Sequence, residues 1–109
     1  MLKFEDLQRL GVEVARDLNL PLKSINEGSK NKKWQGHCDR DGVIYIKMQS
    51  SRFMEEQVKE HENLRVLAHE LAHLRHMNHG KEFWEFQAEL CKVLTTKTGI
   101  KVYPRQVMM

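Results

Sequence analysis

Two histidines four residues apart, with a glutamate directly after the first, constrain this 109-residue chain more than any other feature: His69-Glu70-Leu71-Ala72-His73. On an α-helix that spacing puts both imidazoles on one face, about one turn apart. Two nitrogens so placed can enter one tetrahedral zinc shell at ~2.0–2.1 Å. Glu70 projects about 100° around the helix, beside the same metal, where it can take a proton from an attacking water. This is the H-E-x-x-H arrangement of a hydrolytic zinc site.

The helix itself is written in the apolar spacing. Leu64, Leu67, Leu71 and Leu74 form one stripe between His61 and His76, the three-and-four period of a helix packed on one side. With 6 histidines in the chain, a shuffled sequence would show H-E-x-x-H with a probability of about 0.03. A third histidine at a set spacing lowers that to about 0.002. The bland alternative, a helix carrying surface histidines, is disfavoured because the leucine stripe leaves His69, Glu70 and His73 together on another side.

A catalytic zinc takes three protein ligands and keeps one position open. His79 is the candidate third ligand, flanked by Asn78 and Gly80, residues that suit a sharp turn. His76 is its main rival, though a continuing helix would carry it away along the axis. Glu82, Glu85 and Glu89 are further rivals. His61 reads as a surface residue, and His37 as a strand or surface residue beside a turn.

The remaining elements follow from local pattern. Phe4, Leu7, Leu10, Val14 and Leu18 predict an N-terminal helix that ends before Pro21. Two or three short strands are expected between Leu22 and Met48, the last two forming a hairpin about Asp39-Arg40-Asp41-Gly42. Ser50-Ser51 could start a short helix, after which the apolar spacing lapses. Phe83, Phe86, Leu90 and Val93 predict a further helix closed by Gly99, and Pro104 makes the tail extended.

Composition sets the class. Apolar residues are 40% and charged residues 30% of the chain, with net charge +3, which describes one globular domain spanning 1–109. No apolar run nears the ~20 residues that cross a bilayer, and the first residues lack a signal-peptide order, so a cytoplasmic location is expected. The Lys30, Lys32, Lys33 run reads as a solvated loop, with a small anionic contact as the alternative, and no basic stripe with interleaved aromatics points to a nucleic-acid partner. Cys38 and Cys91 lack C-x-x-C spacing and are expected to be buried and reduced.

The stretch His69-Glu70-Leu71-Ala72-His73-Leu74-Arg75-His76-Met77-Asn78-His79-Gly80-Lys81-Glu82-Phe83-Trp84 resembles the core of YgjP-like, WLM-domain and SprT-like metallopeptidases, zincins with H-E-x-x-H-x5-H. The short chain is most similar to the minigluzincins. The resemblance implies one zinc held by His69, His73 and His79, with Glu70 as general base. It also implies an α+β zincin-like fold, a short antiparallel sheet packed on the metal helix. An exposed edge strand would receive an extended peptide or unfolded-protein substrate, and Val43, Ile44, Tyr45 and Ile46 match that strand best. A transition-state stabiliser is not selected among Tyr45, Tyr103, Arg105 and His37.

The expected activity is therefore that of a zinc-dependent endopeptidase. Residues 100–109 are a candidate autoinhibitory tail, able to lie along the strand at 43–48 and keep the enzyme latent as a zymogen. The competing readings are a catalytically silent zinc-binding scaffold and a DNA-associated SprT-like protease. Oligomeric state and physiological substrate are not written in the residues.

Overall fold

A computed structural model describes residues 2–48 and 55–104. Three helices and three strands follow in the order α1 (Phe4–Asp17), β1 (Ser24–Glu27), β2 (Gly36–Cys38), β3 (Val43–Ile46), α2 (Glu56–His73) and α3 (Lys81–Thr98). The class is α+β, as the resemblance implies. Among the described residues, no helix is long and apolar enough to cross a membrane.

The sheet departs from expectation in two respects. It is mixed, with strand order β1-β3-β2. β3 pairs in parallel with β1 through Ser24↔Val43 to Glu27↔Ile46, and antiparallel with β2 through Gly36↔Ile46 to Cys38↔Ile44. Val43, Ile44, Tyr45 and Ile46 therefore occupy the central strand, whose backbone is engaged on both sides and cannot accept a further strand. This corrects the assignment of these four residues to a substrate-binding edge. The edge beside the metal helix is β2. Alternation along residues 43–46 records which side chains are buried, and Ile44 and Ile46 are both fully buried, but it carries no information about which strands flank them.

The hairpin between β2 and β3 forms where the Asp-Gly signal lies. The Asp39 Oδ1 accepts hydrogen bonds from the backbone N–H groups of Asp41 (3.0 Å) and Val43 (3.1 Å). Gly42 takes φ 91°, a left-handed conformation that glycine adopts without steric cost.

α1 and α2 pack on the sheet, and α3 packs on α2. Leu7 and Val14 from α1, Ile25, Ile44 and Ile46 from the sheet, Leu64, Leu67 and Leu71 from α2, and Phe83, Leu90 and Leu94 from α3 meet in one core. Gln8 joins α1 to β1 by donating from Nε2 to the Ile25 carbonyl at 2.8 Å. Cys38 and Cys91 are free and buried, and burial pushes their thiols up to about 12 and about 11.

α2 begins at Glu56, earlier than the apolar period suggested, because its first turns are polar and partly solvated. It stops at His73, where Leu74 caps it. The suggested helix start at Ser50-Ser51 lies outside the described residues, as do Arg105 and the end of the tail. Val102 is buried, and its backbone N–H donates to the Thr95 Oγ1 at 2.9 Å. The segment from Ile100 to Val102 is thus anchored to the domain.

Candidate metal centre

The last turns of α2 carry His69 and His73 with their ring centroids 4.9 Å apart. The helix ends directly after His73, and the turn that follows brings the chain back. His79 then sits with its Nε2 3.0 Å from the Nε2 of His73 and its ring 5.1 Å from that of His69. One ligand atom from each of the three histidines lies within 4.8 Å of the others. Two ligands on one tetrahedral zinc lie about 3.3 Å apart at the usual bond lengths, so small side-chain rotations suffice to bring all three onto one ion.

Aromatic packing fixes this cluster from beneath. Phe83 is fully buried, and its ring lies 4.9, 4.6 and 4.8 Å from those of His69, His73 and His79. Trp84 flanks His79 at 5.6 Å and donates from Nε1 to the His79 carbonyl at 3.1 Å. The first turn of α3 thus carries two aromatic residues that hold the third histidine against the first two.

The ring nitrogens are oriented as well as gathered. The Nδ1 of His69 lies 2.7 Å from the Gln87 Oε1. The Nδ1 of His73 lies 3.1 Å from the His76 carbonyl oxygen. With a proton on each Nδ1, both Nε2 lone pairs are free to bind a metal. Burial pushes His69 down to about 4, partly opposed by its bond to Gln87. Burial also lowers His73, opposed by the His76 carbonyl. Both imidazoles are therefore neutral at pH 7, the form that ligates a metal.

Glu70 is 5% exposed, and burial pushes its carboxyl up to about 7. Its cover is β2. A Cβ built on Gly36 would stand 2.7 Å from the Glu70 Oε2 and 2.7 Å from the Val66 Cγ1. Only glycine lets the edge strand pass this close to the carboxylate. Gly36→Ala is expected to push Glu70 aside and open its carboxyl to water, moving its titration back toward the ordinary carboxylate range. NMR titration of the metal-free chain checks this, and an unchanged titration would show that the strand yields instead.

The rival ligands lie elsewhere. The His76 Nδ1 is 3.9 Å from the Glu82 Oε2, and its ring is 6.0 Å from Phe86. Glu82, Glu85 and Glu89 line a separate groove with Arg75, His76 and Phe86. Tyr45 and His37 share an aromatic layer with Trp34, with centroids 5.8–6.4 Å apart. His37 is exposed on β2. Tyr103 is 59% exposed beyond α3.

Two residues at the site were missed in the sequence. Gly36 carries no local signal, because the close approach it permits is a tertiary event. Gln87 carries one: it is a polar residue on the same helix face as Phe83, Leu90 and Leu94, a local conflict of the kind that marks functional positions.

No curated protein and no solved structure matches the chain. The family model for the YgjP-like metallopeptidase domain matches residues 4–97, from the start of α1 into the last turn of α3. The chain belongs to the YgjP-like metallopeptidase family.

Proposed function

We propose that the chain is a zinc-dependent endopeptidase in which His69, His73 and His79 hold one zinc and Glu70 is the general base. The observation that carries this reading is the convergence of three imidazoles at the end of the helix that also bears the buried Glu70. The donor set fits zinc: nitrogen ligands, three in number, on a closely spaced cluster that leaves a fourth position open. When bound, zinc supplies Lewis acidity, polarising the scissile carbonyl and making water a nucleophile near pH 7.

The chain's own residues do the rest. Glu70 accepts the proton of the attacking water and passes it to the leaving amine. β2 offers its open edge to an extended polypeptide, whose backbone pairs with it as an added strand. Gly36 and Cys38 face the helix from this strand, so the peptide is brought alongside the metal helix. Such recognition depends on backbone and favours unstructured segments over folded ones.

Latency is part of the proposal, in a revised form. Within the candidate tail at 100–109, Val102 is a core residue, so the part that competes with substrate excludes it. Tyr103 and Pro104 line a groove of about 690 Å³ with Gln35, Val58, His61, Glu62 and Arg65, and Gln35 directly precedes β2. The test compares the zinc-loaded full chain with a chain ending at Pro104 on an unfolded protein substrate. Faster, chelator-sensitive cleavage by the shortened chain is expected. Equal rates would remove latency, and no cleavage by either would remove the peptidase assignment.

A further inference from the structure

We infer that Gln87 is a positioning residue for the metal centre: its amide oxygen selects the His69 tautomer that carries its proton on Nδ1 and presents Nε2 to the metal. The inference rests on reading His69 as a zinc ligand and concerns what holds that ligand in its binding form.

Gln87 is fully buried on the inner face of α3, where its neighbours on that face are Phe83, Phe86, Leu90, Cys91 and Leu94. A primary amide has two polar ends, and the structure employs only one of them. Oε1 lies 2.7 Å from the His69 Nδ1, whereas Nε2 has no hydrogen-bond partner among the described residues. A buried donor without a partner is destabilising, and leucine or methionine would fill similar space without that cost. Packing therefore gives no reason for glutamine here, and the single bond to His69 does.

That bond has a definite chemical consequence. Neutral imidazole carries one N–H, on either nitrogen, and the hydrogen bond at one nitrogen decides which other is free to ligate. A carbonyl oxygen accepts only, so it holds the proton on Nδ1. The opposite amide orientation would offer an N–H to Nδ1, place the proton on Nε2 and obstruct the metal. His73 obtains the same orientation from a backbone group, the His76 carbonyl at 3.1 Å. Of these two helical histidines, His69 alone relies on a side chain, eighteen positions away in the next helix. Acceptors behind metal-binding histidines typically contribute 10–100-fold in metal affinity.

The test uses the full chain with Zn²⁺ in competition with a chromophoric chelator, together with long-range ¹H–¹⁵N spectra of the metal-free protein. The wild type is expected to show the His69 proton on Nδ1. Gln87→Leu should lose 10–100-fold in zinc affinity while its metal-free thermal midpoint changes little, since the orphan Nε2 donor is removed as the His69 N–H loses its acceptor. Gln87→Glu, which keeps an acceptor, should bind zinc within a few-fold of wild type or more tightly. A lower midpoint for Gln87→Leu with unaltered zinc affinity would make Gln87 a packing residue and overturn the inference. Should that variant not fold, an Nε2-protonated His69 in the wild type, or loss of zinc in Gln87→Glu, overturns it equally. Failure of the wild type itself to bind zinc would instead remove the zinc reading, and this role with it.

Discussion

Glu70→Gln is expected to bind zinc as the wild type does and to cleave unfolded polypeptide about 10²–10⁴-fold more slowly, the usual contribution of a general base. The amide keeps the shape of the side chain against Gly36 but cannot accept the proton of the attacking water. Loss of zinc together with activity would contradict the assignment, because it would make Glu70 a ligand. The same variant has a second, independent signature in the metal-free protein. Glu70 is held at about 7 by burial against an ordinary 4.5. Between those values the folded chain binds more protons at this site than the unfolded chain, so this group's contribution to stability is greatest below pH 4.5 and falls as pH rises through 7. The loss is complete near pH 8 and amounts to about 3 kcal/mol. Glu70→Gln has no charge to desolvate. It should therefore match the wild type near pH 4.5 and exceed it by up to about 3 kcal/mol at pH 8, as read by urea unfolding in the presence of chelator. His69 and His73 impose the opposite slope, since both are lowered by burial, but they do so in both chains and cancel in the difference.

Much of this arrangement is legible in the residues because it is local. The leucine period around the metal helix, the four-residue spacing of His69 and His73, the Asp-Gly turn and the apolar face of α3 each depend on neighbours a few positions away. The α+β class and the family likewise follow from the segment between Leu64 and Trp84. What is not legible depends on contacts between distant segments. The strand at 43–46 has the composition of any half-buried strand, and only the return of β1 on its other side makes it central. The parallel pairing of β1 is invisible for the same reason, since nothing in Ser24–Glu27 specifies a direction. The early start of α2 is hidden by a polar first turn that leaves no apolar stripe to count. Gly36 and Gln87 matter because a strand and a helix remote in sequence close on Glu70 and His69. Gln87 alone left a trace, as a polar residue on an apolar face.

The two candidate third ligands make the sharpest contrast in the molecule. His79 points its Nε2 toward that of His73 at 3.0 Å, whereas the His76 ring lies against Phe86 and near Glu82, and serves His73 through its backbone carbonyl. Replacing the side chain of His76 leaves that carbonyl in place. The decisive measurement is zinc stoichiometry and affinity in His69→Ala, His73→Ala, His79→Ala and His76→Ala, each folded and compared with the wild type. The metal centre described above predicts one zinc per wild-type chain and losses beyond about 100-fold in each of the first three variants, more than an outer partner supplies. It predicts affinity within a few-fold of wild type in His76→Ala. Undiminished zinc affinity in His79→Ala, or its collapse in His76→Ala, would contradict it.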